Sequence, residues 1–161
     1  MLFCCLIFAN AGYAVQRIPD FFEDMNSSKE DLVKILRTGD YQKAKETYEN
    51  KLKDSPNDPA LLLMLGYAEA GLKNWDKAVS SIEKGMHYLP ADRKDDFLVD
   101  IGNIYNLKGD YTEAEKIYNN VLKKKPDDIR ALHKMGRLYL KSGKNEKAVE
   151  IFEKIMRLDS S

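Results

Sequence analysis

The chain has 161 residues, with 26 Lys and Arg against 26 Asp and Glu, so its formal charge at neutral pH is zero; 43% of residues are hydrophobic and 32% charged. That is the length of one ordinary domain and the composition of a globular, not a disordered, chain. Zero net charge removes the basic excess that drives general nucleic-acid binding through counterion release, so no nucleic-acid partner is expected.

The two cysteines are adjacent, Cys4 and Cys5, and leave nothing from which to build a disulfide framework or a cysteine zinc site. His87 and His133 have no metal-ligand spacing around them. No metal and no cofactor is expected.

Residues 2–9 are apolar, and the small residues Gly12 and Ala14 come after them in the pattern where a signal peptidase cuts. Residues 1–14 are read as a secretory signal peptide cleaved after Ala14, which places the mature protein in an exported, periplasmic or secreted, setting; otherwise it is cytoplasmic. The apolar run is far shorter than the roughly 20 residues that span a bilayer. Residues 15–24 form a short segment in which Ile18, Phe21 and Phe22, continued by Met25, are expected to cap the first repeat of the chain.

From there the chain reads as helical hairpins. In the first, about 25–58, Ser27-x-x-Glu30 is a capping box, and Gly39-Asp40-Tyr41, Ala44, Tyr48 and Pro56 mark the turn and second helix. In the second, 59–92, Leu62, Leu65, Gly66 and Glu69 mark one helix; Gly71 to Asn74 form the turn, with Asn74 as the expected N-cap; Trp75, Ala78, Ile82 and Gly85 mark the other helix, and Pro90 closes it. The third, about 95–128, repeats this with Gly102, Gly109-Asp110, Tyr111, Ala114, Tyr118 and Pro126. The fourth, 129–161, does so with Gly136, Ser142-Gly143, Ala148 and Phe152. Two extra residues near Ala91 to Lys94 predict a longer turn, or an early start to the following helix.

Ala44, Ala78, Ala114 and Ala148 are separated by steps of 34, 36 and 34 residues. That period marks a helix–turn–helix repeat. A helical glycine costs about 1 kcal/mol relative to alanine, so Gly66, Gly102 and Gly136 at matching places imply close approach to the second helix of the same hairpin. The bulky Tyr48, Ile82, Tyr118 and Phe152 are expected to fill the gap to the next hairpin.

These residues resemble the tetratricopeptide repeat (TPR) family. The family pattern joins Leu-Gly on helix A, an aromatic at the start of helix B, then Ala, an aromatic and Pro. Leu65-Gly66, Trp75, Ala78, Ile82 and Pro90 follow it with one aliphatic replacement, and Ile101-Gly102, Tyr111, Ala114, Tyr118 and Pro126 follow it throughout. The resemblance covers residues 25–161. It implies an all-α, right-handed α-solenoid of about four TPR units, and a function in binding proteins on an extended concave face.

In such a fold the A helices line the groove. The positions this implies are Lys29 and Val33, then Leu63 and Tyr67, then Asp100 and Asn103, then Arg130, His133, Lys134 and Arg137. The groove so read is apolar at the second unit and basic at the fourth, which suits a peptide or helix with an apolar anchor and an acidic end. Co-chaperone members grip a C-terminal carboxylate with a Lys/Asn, Asn, Lys/Arg constellation across three A helices. The matching places here hold Lys29 and Val33, Met64, then Asp96 and Asp100, or Leu63 and Tyr67, Asp100, then Arg130 and Lys134, so neither window supplies that clamp.

No Gly-rich phosphate loop, His pair or catalytic cysteine appears, and the chain is not expected to be an enzyme. The expected function is an adaptor or scaffold for a partner protein. The alternative is a structural subunit that self-assembles into a homo-oligomer through an edge formed by Ile151, Ile155, Met156 and Leu158.

Overall fold

The computed structural model describes residues 30–160. The expected leader, the segment 15–24, the Ser27 cap and Lys29 lie outside the described residues. Among the described residues there are eight helices: α1 (Glu30–Arg37), α2 (Tyr41–Asp54), α3 (Pro59–Gly71), α4 (Trp75–His87), α5 (Ala91–Lys108), α6 (Tyr111–Lys124), α7 (Ile129–Lys141) and α8 (Asn145–Asp159). They fall into two compact units, one ending at Pro90 and one beginning at Ala91.

Local chemistry sets the helix ends. The carboxylates of Asp40, Asp58, Asp110 and Asp128 accept hydrogen bonds from main-chain N–H groups in the first turns of α2, α3, α6 and α7, which satisfies donors a helix otherwise leaves unpaired. Pro59 adds its fixed φ at the start of α3. Asn74 precedes α4 without capping it through its side chain. Its Nδ2 donates instead to Glu69 Oε2 at 2.5 Å, so the cap expected there is a bridge between the two helices' connecting turn and α3.

Five residues before each of the spaced alanines the backbone is left-handed: Gly39 (φ 79°), Lys73 (φ 62°), Gly109 (φ 91°) and Gly143 (φ 74°). Three glycines adopt this conformation without steric cost; Lys73 does so with a Cβ. The extra residues before the third hairpin extend α5 to 18 residues, against 13 for α3 and α7. The insertion is helix, not loop.

Three of the four hairpins close on a glycine. A Cβ at Gly66 would collide with the Ile82 side chain and stand 3.0 Å from the Ala78 carbonyl oxygen; one at Gly102 would meet Tyr118 Cε1 at 2.5 Å, and one at Gly136 Phe152 Cζ at 2.8 Å. In the first hairpin Leu32 takes the glycine's place, and the Tyr48 hydroxyl donates to the Leu32 carbonyl at 2.6 Å. The large residues on the B helices therefore fill space inside their own hairpin as well, and Tyr118 also joins Ala131, Met135 and Leu138 of the following hairpin in one core cluster, as expected. Ala44, Ala78, Ala114 and Ala148 are fully buried.

Hairpins within a unit stack through matched polar contacts. In the first unit Lys45 of α2 lies 3.2 Å from the buried carboxylate of Glu69 on α3. In the second unit the corresponding residue of α6, Glu115, accepts from the Tyr139 hydroxyl of α7 at 3.0 Å and from Lys144 at 2.6 Å. The charges are exchanged between the units. The hydrogen bond to Glu69 and its negative charge raise the Lys45 pKa above the usual lysine value. The Lys144 bond lowers the Glu115 pKa, against the opposing effect of burial. Burial, followed by the bond to Glu115, pushes the Tyr139 hydroxyl up to about 12.

Candidate protein-binding face

The described helices place the expected groove residues in two different environments. In the first unit Val33, Leu63 and Tyr67 are interior, with Leu63 fully enclosed. Leu63 packs against α4 where Gly85 leaves room: a Cβ at Gly85 would lie 2.8 Å from Leu63 Cγ and 3.0 Å from the Pro59 carbonyl oxygen. α3 is apolar around its whole circumference, and such a helix is enclosed on all sides. The apolar end of the expected groove is thus core, and these three residues present no open surface.

The second unit differs. α5 and α7 lie side by side, with Asp96 and Asn103 of α5 meeting Arg130 and Lys134 of α7, and with Asp100 and Arg137 acting on the Lys134 charge. An Arg130 guanidinium nitrogen donates to the Asp96 main-chain oxygen and stands 3.8 Å from the Asp96 carboxylate. Lys134 Nζ donates to Asn103 Oδ1 at 3.3 Å. Asn103 is buried, Asp100, Arg130 and Lys134 are half-buried, and His133 and Arg137 are exposed. His133 turns its ring toward Phe152, with centroids 6.2 Å apart.

The electrostatics of this face are set by a row of cations one helical turn apart on α7. Burial lowers the Lys134 pKa; Asp100 opposes that, while Arg137, Arg130 and Lys141 reinforce it. Beneath the row, burial and then Asp100 hold the Tyr118 hydroxyl well above the usual tyrosine range. Tyr118 Oη and Asn106 Oδ1 are both buried there, and Asn106 partly offsets the rise.

Sequence reasoning found Arg130, His133, Lys134 and Arg137 but passed over Lys141 and Ile129. Both are exposed, and the signal for them was the helical period of α7 itself, at about 100° per residue. Of the expected assembly edge, Met156 is exposed at 61%, Ile151 and Leu158 are half-buried, and Ile155 is buried at 4%. Ile155 faces inward on α8, so it offers no surface to an edge.

Among the described residues no group of three or more His, Cys, Asp or Glu side chains is placed to hold a metal ion. None of the described helices is long and apolar enough to cross a membrane.

Paired antiparallel helices repeated at a near-constant period, joined by short capped turns and closed on glycine, define a helical-hairpin repeat protein. Comparison with known proteins gives the same class: the tetratricopeptide repeat model matches residues 36–94 and 107–160. The chain belongs to the tetratricopeptide repeat family. Among curated relatives it is 31% identical over 116 residues to the BBSome complex member BBS4 of Bos taurus, which covers 72% of this chain and 22% of that protein. It is 29% identical over 131 residues to the Hsp70-Hsp90 organizing protein 3 of Arabidopsis thaliana, covering 81% of this chain and 22% of that one. The chain thus spans less than a quarter of the length of these relatives. Among solved structures, a MamA mutant aligns with a TM-score of 0.61 at 19% identity, over 91% of this chain and 80% of that one. A crystal structure of MamA aligns at 0.53 and 20%, over 84% and 96%. At this identity the likeness shows the fold, an all-α TPR solenoid.

Proposed function

We propose that this chain is an adaptor that binds an acidic segment of a partner protein on the α5–α7 face of its second unit. TPR proteins are in general protein-interaction scaffolds, and two relatives are named as a BBSome complex member and an Hsp70-Hsp90 organizing protein. The observation that carries the reading is the row Arg130, Lys134, Arg137 and Lys141 on α7, which outnumbers the facing Asp96 and Asp100. A cationic strip with partly desolvated heads attracts carboxylates and selects against basic partners. The test is affinity capture from the native source with wild type and with Arg137→Glu/Lys141→Glu. Loss of a reproducible partner with the reversed charges supports the reading; unchanged recovery removes this face from consideration.

Residues 1–14 are read as a leader for export, which N-terminal sequencing of the mature protein checks: a first residue of Val15 supports it, and an intact Met1 overturns it. A second reading, association of copies through α8, is favoured by the exposure of Val149 (55%) and Met156 (61%). Light scattering over a range of concentrations decides it, since a monomer at all concentrations sinks the idea.

A further inference from the structure

α7 carries two parallel lines of side chains, the first with Arg130 and Lys134 half-buried against α5 and Arg137 and Lys141 exposed. At about 100° per residue, Arg130, Lys134, Arg137 and Lys141 fall within about 60° of arc, and Ile129, His133 and Leu140 fall within about 40° beside them. Ile129 is 41% exposed and Leu140 53%. Both lines run the length of the helix, about 16 Å at 1.5 Å per residue.

The spacing selects a partner conformation. Successive cations are three or four residues apart, so they recur about every 5.4 Å along α7. A second α-helix laid alongside presents one face with that same repeat. An extended strand presents same-face side chains about 6.6 Å apart, and falls out of step by about 4 Å over three intervals. The apolar line beside the cations calls for an apolar line beside the partner's carboxylates, which is the pattern of an amphipathic helix.

We infer that the partner segment is an acidic amphipathic α-helix of three or more turns. It lies along α7, with carboxylates over Arg130, Lys134, Arg137 and Lys141 and apolar side chains over Ile129 and Leu140. The inference rests on the acidic-segment reading above and specifies its conformation. Asp96 and Asp100 on α5 border the row and disfavour a continuous phosphate chain, whereas separate carboxylates meet the cations one by one. Lys134, held between burial and its cationic neighbours, gains most from an incoming carboxylate.

The test uses the full chain and fluorescence anisotropy with three probes. One is a lactam-stapled helical peptide of about 18 residues, with Glu at i, i+4, i+7 and i+11 and Leu on the adjoining line. The second has the same composition with two central prolines, which break the helix. The third is an oligouridine. The stapled peptide is expected to bind at least about tenfold more tightly than the proline peptide. Arg137→Glu/Lys141→Glu is expected to weaken it by about tenfold or more and Leu140→Ser by several-fold, while Arg137→Lys/Lys141→Arg retains binding. Circular dichroism checks that each variant keeps its helices. Equal binding of stapled and proline peptides overturns the helical inference and leaves the acidic-segment reading standing. Failure of both peptides overturns both. Binding of the oligouridine alone, lost on charge reversal, assigns the face to nucleic acid and overturns both as well.

Discussion

α3 and α7 occupy the same place in their hairpins, yet they face different worlds. Each is 13 residues long, starts after a capping aspartate and carries a glycine against its own B helix. α3 is buried from Ala60 to Ala70 except at Leu65. α7 buries Ala131, Leu132, Met135, Gly136, Leu138 and Tyr139 and turns five polar or cationic side chains, Arg130, His133, Lys134, Arg137 and Lys141, outward or to its rim. The residues common to both helices build the hairpin. The residues that differ decide whether its A helix is core or contact surface.

The largest expected effect separates the two helices directly. Leu63→Ala opens a cavity in a fully enclosed site and should cost about 2–5 kcal/mol in urea denaturation. Arg137→Ala should stay within about 0.5 kcal/mol, being exposed. A loss at Arg137 comparable to that at Leu63 would break the distinction.

Gly66→Ala and Gly136→Ala should both destabilise, by about 1–3 kcal/mol, with Gly66 the worse. Its added methyl group meets the Ala78 main chain as well as Ile82, whereas that of Gly136 meets only the Phe152 ring, which can tilt away. Thermal melts of the two variants test the order.

The exchanged charges give the two units opposite pH sensitivities. Glu115 has a lowered pKa in the folded chain, so its contribution is present above the unfolded value of about 4.3 and is lost as pH falls through the folded one. Lys45 has a raised pKa, so its contribution is present below about 10.4 and is lost as pH rises through the folded value. The stability gap between wild type and Glu115→Gln, up to about 1 kcal/mol for so exposed a pair, should close in acid. The gap for Lys45→Met should close in alkali. Denaturation midpoints across pH check both. A small effect of opposite sign is expected at the turn of the second hairpin: Lys73→Gly should stabilise by about 0.5–1 kcal/mol, because only there does a Cβ occupy a left-handed position that its three counterparts fill with glycine.

The hairpins themselves were legible because their determinants are local or nearly periodic: prolines after α2 and α6, aspartates at the helix starts, alanines at steps of 34, 36 and 34 residues. That Tyr118 closes on Gly102 of its own hairpin as well as meeting the next one was not, because a bulky residue's repeat position does not say how many neighbours it reaches. Tyr67 and Leu63 were misplaced for a related reason. A position's place in the repeat gives its direction from the helix axis, but not what lies in that direction. Arg130, Lys134 and Arg137 were found because the repeat register puts them on the groove face of an A helix, and charged residues there stay at the surface. Lys73 escaped notice because left-handed backbone is not written in a lysine.

The exchange of Lys45–Glu69 for Glu115–Lys144 also works as an address. Three of the hairpins are sealed internally by a glycine and its aromatic or aliphatic partner, and that seal does not say which hairpin should come after which. Were the order scrambled during folding, so that α6 stacked on α3, Glu115 would face Glu69; were α2 stacked on α7, Lys45 would face Lys144. Like charges in a half-buried contact penalise the wrong neighbour, and misassembly between similar modules is a characteristic failure of repeat proteins. Two ion pairs of opposite polarity therefore write a sequence order into modules whose cores are nearly interchangeable.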